Sequence, residues 1–201
     1  MRKQLIVLIV AVLIIVGGVF FNKTGKDDAP AVNNLALFVE PINNATERIT
    51  KKPFGIFVSP NNSPVSPERF AGYHTGVDFE TFTSEQNSDV VVYAICDGSL
   101  IEAKMATGYG GVAIQKCELD NQPITVVYGH IKLSSVSAKS GKQLNGGDKL
   151  AILGNGYSAE TNGERKHLHI GIHKGNFVVL LGYVQESNQL IDWINLQDYL
   201  K

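Results

Sequence analysis

An excess of charge of either sign is missing from this chain. Its 18 Lys and Arg face 19 Asp and Glu, for a formal net charge of -1, and no block of like charges interrupts the mixture. A nucleic-acid or other polyanionic partner would need a basic stripe or patch, so none is expected. Cysteine is nearly absent as well, with Cys96 and Cys117 alone. Neither has a histidine or other base beside it in sequence, so thiol catalysis is not expected. Neither lies near the N-terminus, which excludes attachment through a lipid-modified cysteine. Long helical patterns are lacking after the first residues. What the chain does have is 20 Gly among 201 residues and repeated Val, Ile and Thr runs. That is the composition of a β-rich domain with tight turns, and the length suffices for one substantial core.

The N-terminus stands apart. An uncharged apolar run from Leu5 to Phe21 covers 17 residues, about 25 Å as a helix and at the lower edge for crossing a bilayer. Arg2 and Lys3 would hold residues 1–4 in the cytoplasm, so the chain after Phe21 is expected outside it, in the cell envelope, with the cytoplasmic membrane as a partner of the helix. A cleaved signal peptide is the rival reading and would make the protein secreted. Against it, the run ends in Val19-Phe20-Phe21 with no Ala-x-Ala site after it. Residues 22–49 are polar and turn-rich and read as a linker or stalk, with a short helix near Leu35 to Glu40; residues 50–201 read as the folded domain.

Within that domain, β-branched and aromatic runs recur between glycine-rich turns. Val90–Ile95 reads as a strand that turns at Asp97-Gly98 into the next. Ser99–Lys104 and Gly111–Lys116 read as a hairpin around Gly108-Tyr109-Gly110, with Cys96 and Cys117 near its open end, where a bridge and two free thiols both remain open. Ile124–Ile131 supplies a further strand, and Gly146–Gly154 adds one more between glycine turns. The expected fold class is mainly β, an antiparallel sheet or folded β-sandwich with few short helices, preceded by an N-terminal transmembrane helix.

Four of the five histidines carry the chemistry. His167 and His169, one residue apart in an apolar β-branched setting, fall on one face of a strand about 7 Å apart. His74 and Asp78 have the spacing of a helical metal pair, yet Thr75, Gly76 and Val77 between them are poor helix formers. A straight strand would separate them by about 13 Å, too far for atoms that must each lie about 2 Å from one metal. A tight turn is therefore expected at Gly76, leading into a strand through Val77, Asp78 and Phe79. His130 closes an apolar strand just after Gly129. Taken singly, each of these residues has a plain structural reading. Taken together they make a set typical of a hydrolytic zinc site. His173 shares the parity of His169 but lies about 13 Å along the strand, and reads as a rim or structural histidine.

The order His-x-x-x-Asp, Tyr-Gly-His, glycine-rich turns, His-x-His resembles the lysostaphin-type, or M23, family of zinc metallopeptidases that cut peptidoglycan peptides. The likeness runs from about Phe54 to the C-terminus and includes Gly76-Val77-Asp78-Phe79, Ile95-x-Asp97-Gly98, Gly146-x-Asp148-x-Leu150-x-Ile152-x-Gly154 and Trp193-Ile194-Asn195. The resemblance implies a Zn2+ ion on His74, Asp78 and His169, with a fourth position left for water. It implies His130 and His167 as the catalytic pair, one moving protons and the other stabilising the oxyanion, without saying which does which. Peptidoglycan peptides are the implied substrate. Many relatives have lost zinc ligands and act as scaffolds or activators of other hydrolases; the full set here leads to the expectation of an enzyme, with the scaffold as the alternative. The chain departs from the family in the charged approach Gly163-Glu164-Arg165-Lys166, where a different cleft wall is expected, and in Trp193-Ile194-Asn195-Leu196. Oligomeric state is not legible.

Overall fold

The computed structural model describes residues 38–200. The expected membrane helix at 5–21 and most of the expected linker lie outside the described residues. No helix among the described residues is long and apolar enough to cross a membrane.

The described chain is mainly β and antiparallel, as expected, and its helices are single-turn or two-turn 3-10 segments such as Ala45–Arg48 and Ser187–Asp192. In chain order the strands are β1 (Phe57–Val58), β2 (Gly72–His74), β3 (Gly76–Glu80), β4 (Val91–Tyr93), β5 (Gly98–Ala106), β6 (Gly110–Leu119), β7 (Gln122–Gly129), β8 (Gln143–Leu144), β9 (Lys149–Ile152), β10 (His167–Lys174) and β11 (Tyr183–Val184). The main sheet has six strands in the order β3-β10-β7-β6-β5-β8; β1-β2-β11 and β4-β9 form smaller sheets. Alternation along the main sheet sorts its two faces. Ile124, Val126 and Tyr128 of β7 and Leu168, Ile170 and Ile172 of β10 point into the principal core. Val127 and Val112 point to the opposite face, where they pack with Tyr109 and Leu180. On β10 that second face carries His167 and His169.

The expected hairpin is present as β5 and β6, which pair from Gly98 with Cys117 to Ala106 with Gly110. Its open end is closed by a disulfide between Cys96 and Cys117, so of the two readings left open the bridge is the one the fold contains. Beside it, the buried Tyr128 hydroxyl donates to Gln115 Oε1 at 2.6 Å and accepts from Ile95 N–H at 2.9 Å, and Gln115 Nε2 donates to the Cys96 carbonyl at 2.8 Å. A buried hydroxyl and amide are thereby both satisfied.

Three local expectations need correction. The bend between His74 and Asp78 falls at Thr75, not at Gly76: β2 ends at His74 in one sheet and β3 begins at Gly76 in another. Thr75 is held there by its N–H to Gly182 O at 3.0 Å and its hydroxyl to Leu181 O. Asp97-Gly98 does not turn one strand onto the next, because β4 pairs with β9 in a separate sheet. Gly98 is required instead by close approach, since a Cβ there would lie 1.9 Å from Lys116 O. Finally, packing begins before residue 50. Phe38, Ile42, Ala45 and Arg48 are all buried, and the Arg48 guanidinium grips Glu85 with bonds of 2.6 and 2.8 Å. The segment from Phe38 onward belongs to the core rather than to a stalk, and residues 38–40 of the expected short helix are not helical.

Candidate metal centre

β3 and β10 are neighbours at one end of the main sheet, and their register sets Asp78 directly across from His169. β10 also pairs with β7, which ends at Gly129 opposite His169. The chain then turns sharply, with His130 in the left-handed region at φ 63°. That conformation is uncommon for a residue with a side chain and is concentrated at functional sites. It brings the His130 ring within 4.2 Å of the His167 ring, centroid to centroid. From the smaller sheet, β2 delivers His74 across the break at Thr75.

Three donor atoms meet here. His74 Nε2 lies 3.1 Å from His169 Nδ1, His169 Nδ1 lies 3.0 Å from Asp78 Oδ1, and His74 Nε2 lies 3.4 Å from the same oxygen. Ligand atoms held about 2.0–2.1 Å from a tetrahedral ion stand about 3.3–3.4 Å apart. The triangle has the dimensions that such an ion requires, and all three residues are buried. One tautomer is fixed by a partner outside the triangle. His74 Nδ1 faces the Pro53 carbonyl at 3.2 Å and must donate to it, which leaves Nε2 with its lone pair turned to the triangle. Three lone-pair atoms converging in a buried space call for a proton or a cation between them. These residues therefore fit a metal ion.

Electrostatics follow from burial. Desolvation holds the His169 pKa down at about 4, more than the neighbouring Asp78 carboxylate raises it. Desolvation, with His167 facing it, also holds His130 well below the usual histidine range. Burial would raise Asp78, but His167, His74 and the hydrogen bonds of His167 and His169 hold its carboxyl well below the usual range. Burial thus favours neutral His169 and His130, and its neighbours favour an ionised Asp78; for His169 and Asp78 these are the forms that bind metal.

All five residues singled out from the sequence, His74, Asp78, His130, His167 and His169, line one cleft of about 290 Å³, with Lys52, Phe70, Tyr109, Arg165, Leu181 and Tyr183 on its walls. His173 is not among them; it packs edge-on against Trp193 with ring centroids 4.9 Å apart. Glu164 and Arg165, from the charged approach expected to shape the cleft wall, do line it, whereas Lys52 and Tyr183 escaped sequence reasoning, as did the contact of Arg165 with Asp78. Lys52 is buried and paired with Glu68 at 2.5 Å, and donates to the Tyr183 hydroxyl at 3.0 Å. Arg165 Nη2 donates to Asp78 Oδ2 at 2.9 Å. One signal pointed to Arg165: residues 165, 167 and 169 share a parity, so an extended approach to β10 places all three on the same side.

An antiparallel β protein that gathers a buried His-Asp-His donor set and two more histidines in one open cleft is of the class with a candidate metal centre on a β scaffold. The particular family follows from the sequence pattern: Peptidase family M23 matches residues 72–180, more than half of the chain, and the chain belongs to that family. Solved structures share the fold. LytU is 20% identical with a TM-score of 0.51, covering 76% of this chain and 83% of its own. A chain of the SpoIIQ–SpoIIIAH pore-forming complex is 16% identical with a TM-score of 0.53, covering 83% of this chain and 92% of its own. No curated protein matches the chain.

Proposed function

We propose that this chain is a zinc endopeptidase that hydrolyses peptide bonds in the stems or cross-bridges of bacterial peptidoglycan, held outside the cytoplasmic membrane by its N-terminal apolar segment. The observation that carries the reading is the donor triangle with edges of 3.0–3.4 Å lying in the same cleft as two further histidines. His74, Asp78 and His169 would hold the ion. Zinc there supplies Lewis acidity, which polarises a carbonyl and acidifies water.

The remaining work falls to the chain's own groups. His167 Nδ1 faces the Arg165 carbonyl at 2.9 Å and donates to it, and its Nε2 lies 3.3 Å from Asp78 Oδ2, so the ring is held at the edge of the donor triangle. His130 stands against it with a buried Nδ1 that has no hydrogen-bond partner, a donor or acceptor held ready for a group that enters the cleft. We assign proton transfer and oxyanion stabilisation to this pair. Phe70, Tyr109, Leu181 and Tyr183 wall the cleft and would exclude water around the bound peptide.

A second reading has its own support. The fold is shared equally well with a chain of a pore-forming complex, and it describes a non-catalytic scaffold or activator of another wall hydrolase or envelope machine. One experiment separates the two. The purified full chain is assayed for zinc content and for new amino groups released from several peptidoglycan types, with and without chelator. Release that depends on one zinc per chain supports the enzyme. One zinc per chain with no release from any wall would move the assignment to the scaffold.

A further inference from the structure

The geometry points to Arg165 as a positioning residue that fixes two site side chains at once: its guanidinium sets which oxygen Asp78 offers to the metal, and its carbonyl sets the His167 ring. The inference rests on the metal reading above and concerns a residue outside the donor set and the histidine pair.

Asp78 has two oxygens with divided duties. Oδ1 belongs to the donor triangle, while Oδ2 accepts from Arg165 Nη2 at 2.9 Å and lies 3.3 Å from His167 Nε2. A carboxylate pinned in this way cannot rotate to offer both oxygens or exchange them, so Asp78 is a one-oxygen donor. The guanidinium is itself braced. Glu80, two residues along β3 and on the same face as Asp78, accepts from Arg165 Nε at 2.9 and 3.0 Å and also from Nη2. Spanning two carboxylates takes the planar fork of arginine, and a lysine ammonium cannot reproduce it. Meanwhile the Arg165 carbonyl orients His167 from the other side of the peptide.

The neighbours of Arg165 show that this is more than anchorage of a loop. Glu164 is tied to Arg69 at 2.6 Å, and Lys166 Nζ donates to Glu85 O and Ser88 O at 2.9 and 2.5 Å. The segment is thus secured on both sides of Arg165 by groups that touch neither Asp78 nor the histidines. Of the three, Arg165 is the one whose side chain reaches Asp78, and it is 13% exposed.

The test is zinc affinity of the full chain, read by competition with a chromophoric chelator, for wild type, Arg165→Gln, Arg165→Lys and Lys166→Gln, with thermal midpoints taken in parallel. Loss of a group that orients a metal ligand weakens the metal by roughly 10–100-fold, and that is expected for Arg165→Gln. Arg165→Lys should recover part of the loss, and Lys166→Gln should lower the midpoint while leaving zinc affinity unchanged. Where peptide is turned over, kcat should fall in Arg165→Gln more than KM rises. Should Arg165→Gln not fold, Glu80→Gln leaves the bond to Asp78 in place but unbraced, and a severalfold loss of zinc affinity is then expected. Zinc binding within twofold of wild type in the folded Arg165 variants, or in Glu80→Gln where it takes their place, overturns the assignment. A wild-type chain that binds no zinc defeats the metal reading itself, a different outcome from wild-type binding that Arg165 does not affect.

Discussion

Gly76 on β3 pairs with Gly171 of β10, and the His169 ring leans over it so closely that a Cβ on Gly76 would lie 2.6 Å from His169 Cε1 and 2.4 Å from Ile170 O. The glycine is there for space. Its backbone is ordinary extended strand, and the bend between the two sheets is made by Thr75. Gly76→Ala must therefore push the His169 ring or the β10 backbone, overpacking that costs about 1–3 kcal/mol or more. Because His169 Nδ1 is one corner of the donor triangle, zinc affinity should fall along with the thermal midpoint. An alanine variant with both unchanged would show that the approach of the two strands is looser than described.

The five cleft residues divide into two groups with different signatures. His74→Ala, Asp78→Ala and His169→Ala each remove one of three donors and should abolish stoichiometric zinc in the purified chain. His130→Ala and His167→Ala leave the triangle whole. They should keep one zinc per chain while turnover drops by roughly 10²–10⁴-fold. Metal analysis beside a wall-hydrolysis assay reads both, and zinc lost from either member of the second pair would refute the division.

The site was more legible than its support. The period of two placed His167 and His169 on one face, and the composition between His74 and Asp78 ruled out a helix. Both arguments are local, and both hold in the structure. The bend at Thr75 was not legible because it is fixed by Gly182 and Leu181, more than a hundred residues away. The pairing of β4 with β9, Val91 with Ile152, is also non-local and left no trace in the Asp97-Gly98 pattern that suggested a hairpin or bulge. The burial of residues 38–49 did leave a trace: Phe38, Ile42, Ala45 and Ile49 recur at a spacing of three and four. Pro41 and the paired Asn43-Asn44 masked it, and the segment packs with only one 3-10 turn, Ala45–Arg48.

That segment yields a third expectation. Starting the chain at residue 50 removes Phe38 and Ile42, both buried, and each worth about 1.5–3 kcal/mol of burial. It also strips Glu85 of its Arg48 partner and uncovers the core beneath. Compared with a chain beginning at Phe38, the shorter one should lose about 3–6 kcal/mol and unfold at least 6 °C lower, on the scale of roughly 2–4 °C per kcal/mol. Equal midpoints in the two chains would restore the boundary at residue 50.

Acid stability of the metal-free chain tests the electrostatics without any assay of activity. Burial holds His169 at about 4, against 6.5 for an ordinary histidine, and holds His130 low as well. Folded protein therefore takes up these protons less readily than unfolded chain. Above about pH 6.5 neither state carries them, and the full stability is present. As pH falls from 6.5 towards 4, the unfolded chain gains protons that the folded site refuses, and stability drops. For His169 alone the loss reaches about 3 kcal/mol by pH 4. Asp78 adds nothing in this window, since its folded pKa lies below the ordinary 3.8 and its contribution is lost only at lower pH. With chelator present, the urea midpoint should fall steadily between pH 6.5 and 4, and His169→Leu should flatten part of that fall. A midpoint that stays level or rises on acidification would mean that His169 and His130 take up protons in the folded chain as readily as in the unfolded one, and would refute the desolvation argument.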